Sequence, residues 1–195
     1  MDGFEKRTRQ KQSNIIEKTY ELFKERGIKK TNIADIAAHA KVSQVSIYNY
    51  FGNKEGLFLE VVKKMLVDDE ARLEAIIHSN LTYKGKLERF IHEEITRYDA
   101  MHHDFVSALN DLSNRKLNAL YDIYTKERFG PKLIKLIDKG KDLKEISKSY
   151  SDRAILQFLK LFNHLREYRI YEDKPLMKEM MELFFYGLTG ETDHD

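Results

Sequence analysis

The chain of 195 residues contains no cysteine, only two prolines and nine glycines. Without cysteine it can form neither a disulfide framework nor a thiolate metal site. With so few breaking residues, apolar side chains recur at helical spacing over long stretches, and no convincing alternating strand pattern occurs. No signal peptide and no apolar run of about 18 residues is found, so we expect a cytoplasmic protein with no membrane partner. The sequence predicts an all-α fold.

The usual signatures of catalytic sites are also missing. There is no Gly-rich phosphate loop, no G-x-S-x-G, no H-E-x-x-H and no pair of cysteine ligands. His102 and His103 are adjacent, but neighbouring helical side chains point about 100° apart and make a poor metal site. We therefore expect no catalytic activity, no cofactor and no metal.

The small net charge of +2 conceals an uneven distribution. Residues 1–64 carry 13 Lys or Arg against 8 Asp or Glu, a net +5, and the remainder carries 21 against 24, a net −3. A basic end on a slightly acidic body suits a polyanion bound at one end only. The basic run Lys6, Arg7, Arg9 and Lys11 could contact phosphate or a minor groove, or could be only a solvated helix start.

Residues 31–54 predict two short helices joined by a tight turn and followed by a third helix. The first short helix has an apolar stripe at i, i+3, i+4 and i+7, formed by Ile33, Ile36, Ala37 and Ala40. Asn32 can cap its start, and Asp35 three residues later fits a capping box.

The second short helix, Gln44 to Tyr50, has Ser43 as its predicted N-cap. Only Ile47 and Phe51 point inward, so mostly polar or small side chains are left at its surface. A helix with so little to bury is a poor core element. It suits the major groove of DNA, where a helix-turn-helix places its second helix.

Residues 15–58 resemble the N-terminal DNA-binding domain of the TetR family of bacterial transcriptional regulators. The resemblance rests on the combined spacing of short pieces, which are Ile16, Leu22-Phe23, Gly27, Thr31, Ile33-Ala34-Asp35-Ile36-Ala37, Val42-Ser43, Ile47-Tyr48, Tyr50-Phe51, Lys54-Glu55 and Leu57-Phe58. One departure is Lys41, where the family usually has glycine. A left-handed conformation there costs a lysine about 1 kcal/mol, and we expect the turn to form nevertheless.

The resemblance and the side-chain chemistry together divide this segment by role. The predicted phosphate contacts are Thr31, Asn32, Ser43, Tyr48, Tyr50 and Lys54, of which the first three lie at helix N-termini that favour phosphate. The predicted base contacts are Gln44, Val45, Ser46 and Asn49. None of these four is basic. Because Gln and Asn pair best with adenine and Val contacts a thymine methyl, we expect A·T pairs at the contacted positions.

Two domains and about nine helices are predicted. A three-helix helix-turn-helix domain occupies residues 1–58, and a helical effector-binding and dimerisation domain occupies residues 59–195. The first helix is predicted at about 6–26 and the fourth at 54–79. Further helices are predicted near 86–102, 104–113, 115–139, 151–171 and 174–188.

The last two predicted helices are apolar around most of their circumference, so a single contact surface cannot cover them. A two-fold dimer would bury the second surface, and the TetR resemblance implies dimerisation through these helices. The predicted interface residues are Ile155, Leu159, Phe162, Leu176, Met180, Phe184 and Leu188. Such a homodimer would present two recognition helices to a pseudo-palindromic operator.

A small-molecule pocket among the middle helices is a further expectation from the resemblance. Its candidate lining residues are Phe90, Glu94, Tyr98, His102, Phe105, Tyr121, Tyr124, Phe158 and Phe162. Glu94 lies within an apolar, aromatic stripe, where an unpaired carboxylate is costly. It is either a pocket residue or the partner of Arg128 or another base in a structural ion pair.

The function predicted from these features is that of a sequence-specific DNA-binding repressor. It would bind double-stranded operator DNA as a homodimer and be released by a small hydrophobic or aromatic effector. The effector would favour a conformer in which the two DNA-binding helices are wrongly spaced. The alternative is a TetR-like regulator that acts mainly through a protein partner, without a small-molecule effector.

Overall fold

The computed structural model describes residues 3–154, 157 and 173–189. Every regular element within these ranges is helical, which confirms the all-α prediction. The helices are α1 (Gly3–Arg26), α2 (Ile33–Ala40), α3 (Gln44–Phe51), α4 (Lys54–Ile77), α5 (Tyr83–Asp99), α6 (His103–Leu109), α7 (Arg115–Tyr124), α8 (Gly130–Asp142) and α9 (Lys174–Thr189). Of the helices so described, none is both long and apolar enough to cross a membrane.

The prediction of one uninterrupted helix at 115–139 is wrong in one respect. A π-helical turn at Thr125–Phe129 separates α7 from α8. The Gly130 N–H bonds to the Thr125 carbonyl, five residues earlier. Pro131 lies at the start of α8, where a missing N–H costs little. A local change of hydrogen-bond register of this kind leaves apolar periodicity almost unaltered, so the spacing of apolar residues does not reveal it.

The chain divides into two compact units, Met1–Val67 with Ala100–Asp111, and Asp68–Asp99 with Leu112–Asp195. The predicted boundary after residue 58 differs from this division in two ways. The first unit takes in more than half of α4, whose Val61, Val62 and Met65 are buried. It also includes α6, which was predicted to belong to the effector domain.

In the first unit, α6 packs against α1. Phe105 is fully buried, and its ring centroid lies 5.6 Å from that of Phe23 and 6.2 Å from that of Tyr20. The His102 N–H donates to the Lys24 carbonyl at 2.8 Å. These contacts attach α6 to the second half of α1.

A close approach at Gly27 completes this attachment. The carboxylate of Asp104 is buried, and its Oδ2 accepts the Lys29 N–H at 2.7 Å. A Cβ atom at Gly27 would lie 2.6 Å from His102 Nδ1 and 2.8 Å from Asp104 Oδ2. Gly27 also has a φ of 81°, so both its backbone conformation and the space around it favour glycine.

The second unit has its own apolar core, formed by Leu73, Tyr83, Leu87, Leu133, Leu136, Ile137 and Ile146. The Tyr83 ring lies against Gly140, where a Cβ atom would be 2.4 Å from the ring carbon Cζ. Lys86 is buried, and its Nζ donates to the Ile77 carbonyl at 2.6 Å. This bond satisfies one of the carbonyls left open at the end of α4.

Replacing Gly27 by alanine is expected to destabilise the protein more than the same change at Gly52. Both glycines have positive φ angles, 81° and 75°, so both variants carry about 1 kcal/mol of backbone strain. Only at Gly27 would the new Cβ meet α6, at a further cost of about 1–3 kcal/mol, whereas no atom lies within 4 Å at Gly52. Urea unfolding followed by circular dichroism measures the difference. Equal free energies of unfolding for the two variants would contradict the close approach.

Candidate nucleic-acid interface

The start of α2 is fixed by the predicted capping box. The Asp35 N–H donates to Asn32 Oδ1 at 2.9 Å, and the Asn32 N–H donates to Asp35 Oδ2 at 3.2 Å. The predicted apolar stripe, Ile33, Ile36, Ala37 and Ala40, is buried. Asn14 on α1 donates its side-chain N–H to the Ala40 carbonyl at 2.9 Å, which secures the end of α2.

Lys41 makes the turn between α2 and α3 in a left-handed conformation, with φ 55° and ψ 47°. The Lys41 N–H donates to the Ala38 carbonyl at 3.3 Å, and the Val42 N–H donates to the Ala37 carbonyl at 3.0 Å. The expectation that the turn forms without glycine is confirmed. Because the Lys41 side chain is exposed, only the backbone strain of about 1 kcal/mol opposes it.

A single buried side chain, Ile47, anchors α3 in the first unit. The Ser46 N–H donates to Ser43 Oγ at 3.1 Å, which confirms Ser43 as the N-cap. With about 100° of rotation per residue, the exposed residues Gln44, Val45, Tyr48 and Asn49 share one arc of roughly 140°. We call this arc the outer face of α3. Ile47 points away from it.

Ser46 differs from the other three predicted base contacts. It is half-buried, at the edge of the outer face, and its hydroxyl lies 2.9 Å from Ser43 Oγ. Tyr48, predicted as a phosphate contact, is 48% exposed and lies at the middle of the outer face, between Gln44 and Val45 in angle.

Two of the predicted phosphate contacts make bonds inside the first unit. Thr31 is buried, its hydroxyl donates to the Gly27 carbonyl at 2.8 Å, and its N–H donates to the Ile28 carbonyl at 3.2 Å. Both donors of Thr31 are thus used within the turn before α2. Lys54 Nζ donates to the same Ile28 carbonyl at 2.6 Å. Burial lowers the pKa of Lys54, and the nearby Asp104 carboxylate opposes this shift.

The remaining phosphate candidates lie at or near the surface. Asn32 and Ser43 are exposed, although their side-chain oxygens already cap α2 and α3. Tyr50 is half-buried, and its ring meets that of Phe51 edge-on at 6.1 Å.

The candidate effector residues are distributed over both units. In the second unit, Phe90 and Tyr124 each lie about 6 Å from Phe129 in ring-centroid distance, at 6.2 Å and 6.0 Å. Tyr121 is half-buried in the same unit. His102 and Phe105 instead belong to the first unit, where they pack against α1. The side chains of Glu94 and Tyr98, and all of Phe158 and Phe162, lie outside the described part of the chain.

Arg128, the suggested partner of Glu94, forms an ion pair with Glu70 on α4, 2.7 Å from its Oε2. Lys132 lies 2.7 Å from Oε1 of the same carboxylate and also pairs with Glu74. Glu70 was not among the residues predicted from sequence. A signal was present, because Glu70 and Glu74 are spaced i, i+4, as are Arg128 and Lys132. Complementary spacing of this kind matches two helices that pack side by side.

The predicted dimer residues are only partly covered by the structure. Leu176 is 38% exposed and Met180 is half-buried. Ile155, Leu159 and Phe162, and the side chains of Phe184 and Leu188, lie outside the described part of the chain. Two further apolar residues of α9, Leu183 and Tyr186, are 72% and 66% exposed. Tyr186 was not among the apolar residues predicted for this helix.

Residues 15–61 match the sequence model of the family described as bacterial regulatory proteins, tetR family. The match begins at Ile15, the first buried residue of α1, and runs through α2 and α3 into α4. Over these residues the chain has the helix-turn-helix domain of the tetR family. In a helix-turn-helix the second helix enters the major groove, and α3 is the second helix of this motif.

Two curated relatives of this chain are a repressor and a regulator by name. The chain is 28% identical over 92 residues to the HTH-type transcriptional repressor KstR2 of Rhodococcus jostii, a match that covers 47% of this chain and 45% of the relative. It is 33% identical over 82 residues to the fatty acid metabolism regulator protein of Bacillus subtilis, a match that covers 42% of each. The matched region thus spans less than half the length of either relative.

Over most of its length the chain is similar in fold to solved structures of transcriptional regulators. The transcriptional regulator FadR from Bacillus subtilis, solved in complex with stearoyl-CoA, superposes with a TM-score of 0.65 and 22% sequence identity. That superposition covers 90% of this chain and 98% of the FadR chain. At this identity the likeness establishes the fold.

The ion pairs of Glu70 with Arg128 and Lys132 predict an acid-sensitive contribution to the stability of the protein. The hydrogen bond from Lys132, together with the charges of Arg128 and Lys132, holds the pKa of Glu70 below its usual value of 4.5. Because folding lowers this pKa, the contribution is complete above about pH 4.5 and is lost as the pH falls through the folded-state pKa. Glu70→Gln is therefore expected to lower the thermal midpoint at pH 7 and to flatten its decline on acidification.

Thermal unfolding between pH 7 and pH 3 measures both effects, with Glu88→Gln as the control. Glu88 is exposed and only 4.0 Å from Lys84, so its replacement should leave the wild-type profile unchanged. Parallel profiles for wild type and Glu70→Gln would show that the cluster contributes no acid sensitivity.

Proposed function

We propose that this protein is a transcriptional repressor that binds operator DNA through α3 of each subunit of a homodimer. The observation that carries the proposal is the outer face of α3. Gln44, Val45, Tyr48 and Asn49 are all exposed on a helix that a single buried residue, Ile47, holds in place. Side chains of this kind near the N-terminus of a helix contact base edges in the major groove.

The outer face favours A·T pairs. It has hydrogen-bonding amides at Gln44 and Asn49 and an apolar group at Val45, which is 65% exposed. An amide pairs with adenine through two hydrogen bonds, and an apolar group contacts the thymine methyl. No lysine or arginine, the usual partners of guanine, lies on this face. Ser46 contributes less, because its hydroxyl is held by Ser43.

Phosphate contacts around α3 would fix its position on the duplex. Asn32, Ser43, Tyr48 and Tyr50 supply hydrogen-bonding groups near the surface, and the N-termini of α2 and α3 favour negative charge. The Lys54 ammonium has three N–H donors, and its bond to the Ile28 carbonyl uses one of them. The other two remain to contact phosphate. Thr31 acts indirectly, by holding the turn that precedes α2.

Dimerisation uses the C-terminal helices. The exposed residues Leu176 and Leu183 of α9 support this proposal, because large apolar side chains exposed to water favour a partner surface. Two identical subunits related by a two-fold axis match a pseudo-palindromic operator.

The effector that releases the DNA is proposed to be a long-chain acyl-CoA. The fold similarity to FadR bound to stearoyl-CoA and the sequence match to a fatty acid metabolism regulator both support this class of ligand. Phe90 and Phe129, half-buried in the second unit with ring centroids 6.2 Å apart, supply aromatic groups suited to an apolar chain. Release follows if the acyl-CoA binds more tightly to a conformer that fits the operator poorly.

Asn49→Ala is expected to weaken operator binding and to relax sequence preference. Removal of one bidentate amide contact costs about 1–3 kcal/mol, or roughly 5- to 150-fold in Kd. The operator would be selected from a random duplex library with the wild-type protein, and binding measured by fluorescence anisotropy. Asn80→Ala is the matched control, because Asn80 is an exposed asparagine in the second unit. Equal affinities for both variants, or a selected operator rich in G·C at the contacted pairs, would contradict the assignment of base contacts.

Stearoyl-CoA is expected to release the wild-type protein from the selected operator, whereas CoA alone and free stearate should not. The thioester conjugate combines an apolar chain with a charged head, so neither part alone reproduces its binding. Anisotropy titrations at constant protein and DNA concentration measure the release. If wild-type protein binds the operator but stearoyl-CoA changes nothing, the acyl-CoA assignment fails and the protein-partner alternative gains support.

A further inference from the structure

The first three turns of α1 precede the core of the DNA-binding unit. α1 begins at Gly3, but its first buried residue is Ile15, and Phe4 is 69% exposed. The matched family domain also begins at residue 15. Residues 3–13, which we call the basic extension, are therefore helical although none of their side chains is buried. A free helix of this length would be marginal in water, so it forms as a continuation of the packed part of α1.

The charge of the basic extension is mostly of one sign. Its cations are Lys6, Arg7, Arg9 and Lys11, all exposed, and its only acid is Glu5, a net charge of +3 from four positive groups and one negative. On a helix these four cations occupy an arc of roughly 200°, so they form a broad charged surface rather than a single line.

The position of the extension follows from the hydrogen bond between Asn14 and Ala40. Asn14 Nδ2 lies 2.9 Å from the Ala40 carbonyl, at the end of α2 and only four residues before Gln44. The other end of α1 docks on α6, through the bond from His102 to the Lys24 carbonyl. The extension therefore emerges beside the turn between α2 and α3 and points away from α6.

The reach of the extension follows from helix geometry. With a rise of 1.5 Å per residue, Lys11 lies about 5 Å beyond Asn14 and Lys6 about 12 Å beyond it. Lysine and arginine side chains add several ångströms to this reach. The extension thus carries positive charge to about 12 Å beyond the point where α1 meets the end of α2, four residues before α3 begins. The outer face of α3 itself carries no positive charge.

We infer that the basic extension is a second DNA-binding surface, which contacts backbone phosphates flanking the base pairs reached by α3. This inference rests on the proposed function of α3. The extension would supply affinity and salt dependence, because neutralised phosphates release counterions. The outer face of α3 would supply sequence preference. Phosphate is the group that fits, since exposed lysine and arginine on a solvated helix bind it without needing a groove of fixed shape.

The test is a variant of the full chain in which Lys6, Arg7, Arg9 and Lys11 are all replaced by glutamine, which keeps helix propensity and removes the charge. The matched control replaces the exposed Lys126, Lys135, Lys139 and Lys148 of the second unit by glutamine, with the same change of net charge. The probes are the operator selected with wild-type protein and a scrambled duplex of equal length and composition.

We expect the extension variant to bind both duplexes at least tenfold more weakly at about 0.15 M salt, with the ratio between the two unchanged. The slope of log K against log salt should become shallower by about 0.9 for each phosphate that the variant no longer neutralises. Ethylation interference should show phosphates outside the half-site that matter for wild type and not for the variant. The control variant should behave as wild type in all three measurements.

Three results would overturn the inference. One is an unchanged salt slope in the extension variant, and another is the same change of slope in the control variant. The third is weaker binding confined to the selected operator, which would mean that the extension contacts bases. These outcomes differ from a failure of the proposed function, in which wild-type protein shows no preference for any duplex over the scrambled one.

Discussion

The buried carboxylate of Asp104 is the contact on which the geometry of the DNA-binding unit depends. It accepts the Lys29 N–H, next to Gly27, where α1 turns toward α2. Phe105, one residue later, fills the space against Phe23. Together they hold the corner between α1 and α2. Because α3 has only one buried anchor of its own, its orientation follows from how firmly α2 and that corner are held.

In the proposed function, attraction to DNA and recognition of sequence fall on different helices of this unit. The outer face of α3 has amide and apolar groups and no cation, so in this proposal it would discriminate by hydrogen bonding and shape. Positive charge lies on α1 instead, in turns that bury no side chain. Such a division lets affinity change with salt while the preference among base pairs stays constant. It also leaves the recognition surface free of charges that would bind any duplex.

Features set by residues close in sequence were predictable, and features set by distant partners were not. The capping box of Asn32 and Asp35, the Ser43 cap and the left-handed Lys41 each depend on groups within five residues. The packing of Phe105 on Phe23 and the pairing of Arg128 with Glu70 depend instead on which helix faces meet, which no single helix shows. For the ion pair, the signal lay only in the matching i, i+4 spacing of charges on two helices. Phe105 was named as a candidate pocket residue from the family resemblance, which gives no sign of its packing on Phe23. The π turn at 125–129 was missed because its apolar spacing resembles that of an ordinary helix.

The attachment of α6 to α1 also bears on how the chain folds during synthesis. The bond from Lys29 to Asp104 joins residues 75 positions apart. A nascent chain released only as far as α4 contains the complete helix-turn-helix sequence but lacks Phe105 and Asp104. Its Phe23 could already pack on Phe58, but the side that Phe105 covers would face water until α5 and α6 had left the ribosome. Contacts of such long separation form slowly. The DNA-binding unit, although it comes first in the chain, is therefore completed late, and until then its exposed core is a target for chaperones and proteases.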